Sequence, residues 1–484
     1  MELTDKDLLS VQQARDCIRH ASVAHRELAT FCQEQIDKIV AAIAKAGSEN
    51  AERLAKMAQQ ETGFGKWEDK VVKNKFASDT VYNAIKNQKT VGILRDNKEE
   101  KVLDIGTGVG VIAGIVPSTN PTSTVIFKAQ IAIKGGNSIV FSPHPGAKDC
   151  IIETVRCIAS AAEAAGCPKG AISCIEIPTL NGTKELMRNS QTKLILATGG
   201  PGLVREAYSS GKPAIGVGAG NGPAYISKSA DISLAVRHIF DSKTFDNGTI
   251  CASEQSIITE KAIASKVEEE IKKQGGCILD EQDAKTLGRF ILRPNGSMNP
   301  AIVGKSACEI AALADLKNVP QNTRVLLARE TKVGAAIPFS HEKLAPILAY
   351  YVEDSVDEIF KKCIDILHFE GAGHTFIIHT TDESEIRRFA LAIPASRILV
   401  NTPGSLGGIG ATTGLFPSLT LGCGAVGGSS SSNNIGPMDV INIKRVAYGL
   451  RELSDLKTHK TDDIGYTDDT IYSIVESVIQ KIMQ

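Results

Sequence analysis

No charge of one sign dominates this sequence, since 54 Lys and Arg face 55 Asp and Glu and the formal net charge is −1. A protein that binds nucleic acid or an anionic membrane surface usually carries a strongly basic patch or domain. We therefore expect partners in solution, with no nucleic acid and no membrane among them.

The sequence also lacks paired cysteines. Its 11 cysteines are an odd number and include no C-x-x-C pair and no nearby group of Cys and His. This spacing argues against a disulfide framework and against a zinc centre, and it favours a reducing compartment. We predict no metal site.

Long apolar runs are missing as well. No window approaches 18 uncharged apolar residues, and the first residues, Met1–Asp5, have neither a basic segment nor an apolar one. Signal peptides and membrane-spanning helices need such segments. The expectation is a cytoplasmic protein.

The 484 residues show no internal repeat and are enough for two or three subdomains. From residue 122 onward, buried strands alternate with helices, which is typical of a doubly wound parallel sheet. The predicted strands of the first sheet are 138–141, 172–177, 193–197 and 214–217. Ligands bind such sheets at the carboxyl ends of the strands.

One of these strand ends carries Thr198, Gly199 and Gly200, which open a helix. Free N–H groups at a helix start favour a phosphate. The alternative is that these glycines only make a tight connection.

A single cysteine, Cys251, stands between the turn at Gly248 and the apolar run Ser256-Ile257-Ile258. A thiol at the end of a strand facing a cleft is a candidate nucleophile, provided that dipoles or a cation stabilise its thiolate. No Lys, Arg or His is adjacent in sequence. The alternative is a buried cysteine that acts as a small hydrophobic residue.

The segment Asn247–Gln255, N-G-T-I-C-A-S-E-Q, resembles the active-site segment of the aldehyde dehydrogenase superfamily, and specifically of its CoA-acylating branch. The resemblance covers roughly residues 10–450. It implies an α/β fold of two doubly wound α/β domains plus a β oligomerisation arm.

The resemblance also implies domain bounds. Residues 1–240 would bind the nicotinamide nucleotide, with 101–116 contributing to the oligomerisation strands. Residues 241–435 would form the catalytic domain, and 436–450 an oligomerisation strand.

Individual roles follow from matching motifs. Cys251 would be the nucleophile, and Asn120, in Pro117–Thr122, the oxyanion donor. Glu342 matches the Glu of an E-x-x-x-P motif that binds the nicotinamide ribose. The alternatives are an ordinary Asn-Pro turn for Asn120 and a solvated surface charge for Glu342.

Three further residues, Ser142, Pro143 and His144, resemble the acylating branch at the strand end that faces the adenosine ribose. Thr198, Gly199 and Gly200 would lie beside the pyrophosphate. Asp246 and Glu254, which flank Cys251, are interpreted as structural.

Val217 decides the predicted reaction. It stands where hydrolytic relatives carry the Glu that activates water, and valine cannot accept a proton. The acyl-enzyme should therefore resist hydrolysis and react with a thiol instead. The resemblance implies NAD as cofactor, CoA as co-substrate and a short aliphatic aldehyde as substrate. The alternatives are a γ-glutamyl phosphate reductase or another acyl-phosphate reductase, and an inactive scaffold.

The C-terminal residues 451–484 are predicted to be a flexible linker and an amphipathic helix, with apolar residues spaced three and four apart from Ile471 to Ile482. Residues 469–484 resemble peptides that bind microcompartment shells or partner-enzyme helices. This implies a location inside a bacterial microcompartment. The alternative is a helix folded back on its own subunit or dimer. The resemblance also implies a homodimer or homotetramer.

Overall fold

The structure is a computed structural model that describes residues 4–457 and 468–483. Its described residues form two compact units, of which the larger comprises residues 4–92 and 106–442 and the smaller comprises 93–105, 443–457 and 468–483. Within the described ranges, no helix is both long enough and apolar enough to cross a membrane.

Residues 4–217 contain the first nine helices and the first seven strands. The helices are α1 (Lys6–Leu28), α2 (Gln33–Glu49), α3 (Ala51–Thr62), α4 (Trp67–Lys75), α5 (Val81–Ile85), α6 (Pro121–Lys134), α7 (Lys148–Ala164), α8 (Leu180–Arg188) and α9 (Pro201–Tyr208). The strands are β1 (Gly92–Asn97), β2 (Val102–Gly108), β3 (Val111–Val116), β4 (Ser138–Pro143), β5 (Ile172–Cys174), β6 (Thr192–Thr198) and β7 (Ala214–Val217).

Five of these strands form a parallel sheet in the order β5-β4-β3-β6-β7. Every residue of β3 and β4 is buried, as expected for a parallel sheet that helices cover on both faces. Helix α6 is buried along its whole length. Its Lys128 Nζ donates to the carbonyls of Ile115 and Leu196, at 2.7 and 2.8 Å, so this buried amine is paired within the sheet.

The second half of the larger unit is built in the same way. Its elements are β8 (Gly222–Ile226), α10 (Ile232–Thr244), β9 (Glu254–Glu260), α11 (Lys261–Lys273), β10 (Gly276–Ile278), α12 (Glu281–Ile291), α13 (Ala307–Leu313), β11 (Val325–Arg329), β12 (Ile347–Glu353), α14 (Val356–Phe369), β13 (Gly373–His379), α15 (Glu383–Ala392), β14 (Ala395–Val400) and α16 (Gly404–Gly408). The seven strands pair in parallel in the order β10-β11-β12-β9-β8-β13-β14. The predicted α/β class, with two doubly wound sheets, is confirmed.

Two predicted bounds differ from the structure. Strand β8 pairs with β9 and β13, so the change from one sheet to the other falls at residues 218–221 and not at 240. The range 101–116 contains strands of two sheets. Only β2 lies in the small sheet, whereas β3 is the middle strand of the five-stranded sheet, and Val109 and Gly110 separate the two strands.

The remaining elements are β15 (Ile441–Ala447), α17 (Leu453–Lys457) and α18 (Asp468–Ile482). Strand β15 lies within the predicted range 436–450 and forms a three-stranded sheet in the order β1-β2-β15. Helix α18 occupies the range predicted to be an amphipathic helix. Residues 458–467 of the predicted linker lie outside the described residues.

Candidate active site

A cavity of about 550 Å³ lies at the carboxyl ends of β3, β4, β6 and β7 and reaches the loop before β9. All nine residues that the sequence analysis selected line this cavity. They are Asn120, Ser142, Pro143, His144, Thr198, Gly199, Gly200, Cys251 and Glu342. The two sheets thus bring together residues that are up to 222 positions apart in the chain.

A second cavity, of about 930 Å³, is lined by α12 and by residues 329–339. It shares no lining residue with the first cavity and contains none of the nine selected residues. Although the second cavity is larger, the candidate nucleophile lies only in the first, and we assign the site there.

Cys251 lies at the wall of the cavity, just before β9. Burial raises the pKa of its thiol to about 12, and the nearby carboxylate of Glu342 adds to this effect, while the guanidinium of Arg397 opposes it. The thiol is therefore the dominant form at neutral pH in the unliganded protein. A reaction at this sulfur needs a proton acceptor.

His374, at the start of β13, is a neighbour of Cys251 that the sequence analysis did not identify. Its Nε2 lies 3.2 Å from Cys251 Sγ, and its Nδ1 lies 2.8 Å from Thr375 Oγ1. Burial and the charge of Arg397 lower the pKa of His374 to about 3, so the imidazole is neutral. A neutral imidazole can orient the thiol but cannot supply a positive charge for a thiolate. No local motif points to it, because 123 positions separate it from the cysteine.

Arg397, in β14, is a second neighbour of Cys251 that the sequence analysis did not select, and it is charged. It is buried, and its Nη2 donates to the carbonyl of Gly422 at 2.8 Å, while Nε has no hydrogen-bond partner within the described part of the chain. No carboxylate pairs with it among the described residues. Its charge favours a thiolate at Cys251.

Asn120 immediately precedes α6, and its amide is held at both ends. Oδ1 accepts from Lys73 Nζ at 2.5 Å, while Nδ2 donates to Thr249 O and Thr119 Oγ1, each at 3.2 Å. An ammonium group can only donate, so Lys73 fixes which end of the amide is the acceptor. The NH₂ end therefore faces the loop that carries Cys251.

The loop before Cys251 is tied to α4 by buried charges. Asp246 Oδ2 accepts from Lys70 Nζ at 2.9 Å and from Lys73 Nζ, and all three side chains are nearly inaccessible to solvent. Thr249 Oγ1 donates to the same carboxylate oxygen at 2.7 Å. Both Asp246 and Asn247 have left-handed backbone, with φ of 48° and 52°. Ion pairing with Lys73 and Lys70 lowers the pKa of Asp246 against the opposing effect of burial.

Asp246 and Glu254 do not line the cavity. Glu254 is buried, and its Oε1 accepts from the N–H of Gly404 at 2.7 Å. The interpretation of both residues as structural stays a prediction.

Glu342 faces the cavity from the loop before β12. Its Oε1 accepts from the N–H of Gly220 at 2.9 Å, and its own N–H donates to Glu370 Oε2 at 2.8 Å. Burial raises the pKa of Glu342 to about 8, and the charge of Glu370 adds to this, while the Gly220 N–H, Lys243 and Lys343 oppose it. The carboxyl group is therefore mostly protonated at neutral pH and half-ionised near pH 8.

The opposite wall of the cavity fits a dinucleotide. Gly200 precedes α9, and Gly199, Gly200 and Gly202 line the cavity beside the helix start. Thr198 Oγ1 is buried without a hydrogen-bond partner among the described residues, and no atom lies within 4 Å of where a Cβ on Gly200 or Gly202 would be. This leaves an unused hydroxyl and open N–H groups for a pyrophosphate.

The residues at the far end of this wall are held by local contacts. Ser142 Oγ lies 2.8 Å from Thr183 Oγ1, and His144 Nδ1 accepts from the N–H of Gly146 at 3.0 Å. Burial lowers the pKa of His144. The lining contains no Lys and no Arg among the described residues.

Val217 ends β7, is buried, and lines the same cavity. Among the described lining residues, Glu342 is the one carboxylate, and the other titratable groups are His144 and Cys251. The described residues contain no group of three or more His, Cys, Asp or Glu arranged to hold a metal ion.

Comparison with known proteins gives one family. Residues 3–278 match the model of the aldehyde dehydrogenase family. The bifunctional aldehyde-alcohol dehydrogenase of Escherichia coli strain K12 is 46% identical over 443 residues, which are 90% of this chain and 50% of that protein. The chain thus spans about half the length of the first curated relatives that it matches.

Solved structures extend the similarity to nearly the whole chain. A probable aldehyde dehydrogenase from Listeria monocytogenes EGD-e has a TM-score of 0.93 and 61% identity, over 94% of this chain and 100% of that one. An acetylating aldehyde dehydrogenase from Geobacillus thermoglucosidasius has a TM-score of 0.91 and 51% identity, over 93% and 99%. A propionaldehyde dehydrogenase from Rhodopseudomonas palustris, solved with bound CoA and an acylated cysteine, has a TM-score of 0.82 and 27% identity, over 90% and 97%.

The raised pKa of the Cys251 thiol predicts its reactivity. Because the thiolate is the reactive form, alkylation by iodoacetamide should be slow at pH 7 and should rise roughly tenfold per pH unit up to pH 10, without a plateau. The Arg397→Met variant should react more slowly at each pH, because it loses the charge that stabilises the thiolate. Peptide mass spectrometry measures the extent of alkylation at Cys251, and alkylation of the exposed Cys32 serves as an internal reference. A plateau below pH 9 would contradict the assignment.

Proposed function

This chain belongs to the aldehyde dehydrogenase family, and from that premise we propose that it is a CoA-acylating aldehyde dehydrogenase. It converts a short aliphatic aldehyde, NAD⁺ and CoA to acyl-CoA and NADH, reversibly. The observation that carries the proposal is a cavity that holds a cysteine, an amide donor and a valine where hydrolytic relatives have their base.

In the first half of the reaction, the sulfur of Cys251 adds to the aldehyde carbon. Negative charge then develops on the aldehyde oxygen, and the Nδ2 group of Asn120 and the N–H of Cys251 stabilise it. A nicotinamide nucleotide bound here would supply the acceptor for the hydride that leaves the carbon. The product of this half is a thioester on Cys251.

The cofactor would be held by Thr198 and the glycines that follow it at the pyrophosphate, by Ser142, Pro143 and His144 at the adenosine ribose, and by Glu342 at the nicotinamide ribose. The lining favours NAD over NADP, because an enzyme that binds NADP usually places an Arg at the 2′-phosphate and the described lining has no Lys or Arg. The same lack disfavours the alternative of an acyl-phosphate reductase, which must bind a phosphate group close to the cysteine.

In the second half, CoA thiol takes up the acyl group. Val217 accepts no proton, so water at that position stays a poor nucleophile, whereas a thiol is intrinsically a good one. The bound CoA and acylated cysteine in the Rhodopseudomonas palustris relative support this step.

The small unit supports two proposals about partners. Strand β15 exposes Ile443 and Val446, each 40% accessible, and we propose that it pairs with another subunit in a homodimer or homotetramer. Helix α18 exposes a row of apolar side chains, from Ile471 to Ile482. We propose that residues 469–484 bind a shell or a partner-enzyme helix and place the enzyme inside a bacterial microcompartment in the cytoplasm.

The dependence on CoA tests the proposed reaction. Without CoA, acetaldehyde and NAD⁺ should give a burst of about one NADH per active site and then almost no turnover, because the thioester has no acceptor. Addition of CoA should restore steady NADH formation. The Cys251→Ala variant is the control and should show neither phase. Sustained release of free carboxylic acid without CoA would overturn the proposal.

The contact between Lys73 and Asn120 predicts an effect on kcat. The Lys73→Met variant frees the amide of Asn120 to rotate, so kcat should fall by roughly 10- to 100-fold with little change in the KM for NAD⁺, since losing an oxyanion donor entirely costs about 2.7–4 kcal/mol. Steady-state NADH formation measures both constants. Lys75→Met, an exposed lysine on the same helix, is the matched control and should behave as the parent enzyme. A kcat within twofold of the parent for Lys73→Met would refute the orienting role.

If helix α18 only binds a shell or partner helix, its removal should change the location of the enzyme but not its activity. Deletion of residues 469–484 should leave kcat unchanged and abolish co-purification with microcompartment shells, because only the apolar face of this helix is assigned to binding. Glu476→Gln, which leaves the apolar row intact, should still co-purify. If the truncated enzyme co-purifies as before, the helix has another role.

A further inference from the structure

The second half of the proposed reaction lacks an assigned proton acceptor. The CoA thiol must lose its proton before or as its sulfur attacks the thioester, and a thiol ionises only near pH 8.5 in water. Of the three titratable lining groups, Cys251 is acylated at this stage, and the ring of His144 already accepts the N–H of Gly146. His374 is not among the lining residues; its Nδ1 contacts Thr375 and its Nε2 lies 3.2 Å from Cys251 Sγ, but burial lowers its pKa to about 3, so it is a weak proton acceptor.

Glu342 remains, and its position relative to Cys251 is fixed through Gly220. The N–H of Gly220 donates to Glu342 Oε1 at 2.9 Å. The Cα of Gly220 packs so closely on Cys251 that a Cβ there would come within 1.8 Å of the cysteine carbonyl oxygen. One glycine therefore connects the carboxylate to the backbone of the nucleophile, and both side chains line the same cavity.

The charged groups around Glu342 keep its affinity for protons close to that of a thiol. Glu370, at the end of α14, and burial favour the protonated form, while Lys243 on α10, Lys343 and the Gly220 N–H favour the ionised form. The resulting pKa of about 8 suits a base that takes a proton from a thiol, because proton transfer is most efficient between groups of similar pKa.

We propose that Glu342, besides its place at the nicotinamide ribose, is the general base that takes the proton of the CoA thiol during acyl transfer. This inference rests on the proposed function. It assigns Glu342 a second task at a stage when the reduced cofactor has left and the carboxylate no longer holds a ribose.

The step balances without any further reactant. The CoA S–H proton moves to a carboxylate oxygen of Glu342, and the CoA sulfur bonds to the thioester carbon. The tetrahedral intermediate then collapses, the bond between that carbon and Cys251 Sγ breaks, and acyl-CoA leaves. Glu342 returns the proton to the released cysteine thiolate, so both side chains regain their starting protonation.

Thioester exchange isolates this step from cofactor binding. Parent enzyme and Glu342→Gln are incubated with acetyl-CoA and isotopically labelled CoA, with no nicotinamide nucleotide present, and label in acetyl-CoA is followed by mass spectrometry between pH 6.5 and 10. At pH 7 the variant should exchange at least about 50-fold more slowly, in line with the 10²- to 10⁴-fold typical of general bases. The deficit should shrink to within about fivefold at pH 10, where CoA ionises by itself.

A role at the ribose alone predicts equal exchange rates for Glu342→Gln and the parent enzyme at every pH, and that result would overturn the inference. The expected loss is also opposite to the simple electrostatic effect, because removing the carboxylate charge should make Cys251 easier to ionise. Glu330→Gln is the matched control. Glu330 is a partly buried carboxylate whose pKa burial also raises, but it lies outside this cavity, so its exchange should match the parent.

Further results distinguish a failure of this inference from a failure of the proposed function or of the variant's folding. If the parent enzyme itself exchanges no label, the proposed function fails and not merely the role of Glu342. If Glu342→Gln does not fold, as judged by its thermal melt, Glu342→Asp replaces it and should retain a pH-dependent part of the rate. A larger, pH-dependent loss in His374→Ala than in the Glu342 variants would assign the base to the histidine and overturn the inference.

Discussion

The active site depends on three buried charges that join two distant parts of the chain. Lys70 and Lys73 on α4 both donate to Asp246, in the loop that leads to Cys251. Removing one partner of a buried ion pair commonly costs about 3–5 kcal/mol, because the charge that stays behind is neither solvated nor paired. This contact therefore holds the loop against α4, and the left-handed backbone at Asp246 and Asn247 persists because these contacts enforce it.

The same charged groups position the catalytic residues but do not themselves line the cavity. Lys73 donates one hydrogen bond to Asp246 and another to Asn120. The ion pair therefore orients the oxyanion donor before any substrate binds. The ammonium groups stay outside the cavity, and the described lining contains no Lys or Arg. A cation exposed in the cavity would bind anions in competition with substrate. The cavity has instead a protonated thiol, with the neutral imidazole of His374 beside it, and one carboxyl group of intermediate acidity.

Much of this site could be predicted from sequence, for a physical reason. In a parallel sheet the carboxyl ends of all strands meet at one edge, so Ser142 after β4 and Thr198 at the end of β6 had to approach each other once the strands were recognised. The strands themselves were recognisable because they are buried on both faces and so are almost wholly apolar. The bound at residue 240 was wrong because β8 and α10 continue the same alternation of strand and helix, and nothing in their composition shows which sheet they join.

The residues that sequence did not reveal are those whose role depends on a distant partner. Lys70 and Lys73 look like solvated lysines of an amphipathic helix, and only Asp246, 176 and 173 positions away, makes them buried ions. His374 and Arg397 lie in two adjacent strands, where a polar side chain is equally compatible with a structural role. Their proximity to Cys251 arises because β13 and β14 follow β8 and β9 in the order of the seven-stranded sheet, and that order is a property of the tertiary fold. Local sequence can therefore identify the atom that reacts, because its motif is contiguous, but the groups that set the acidity of that atom are found only when the chain has folded around it.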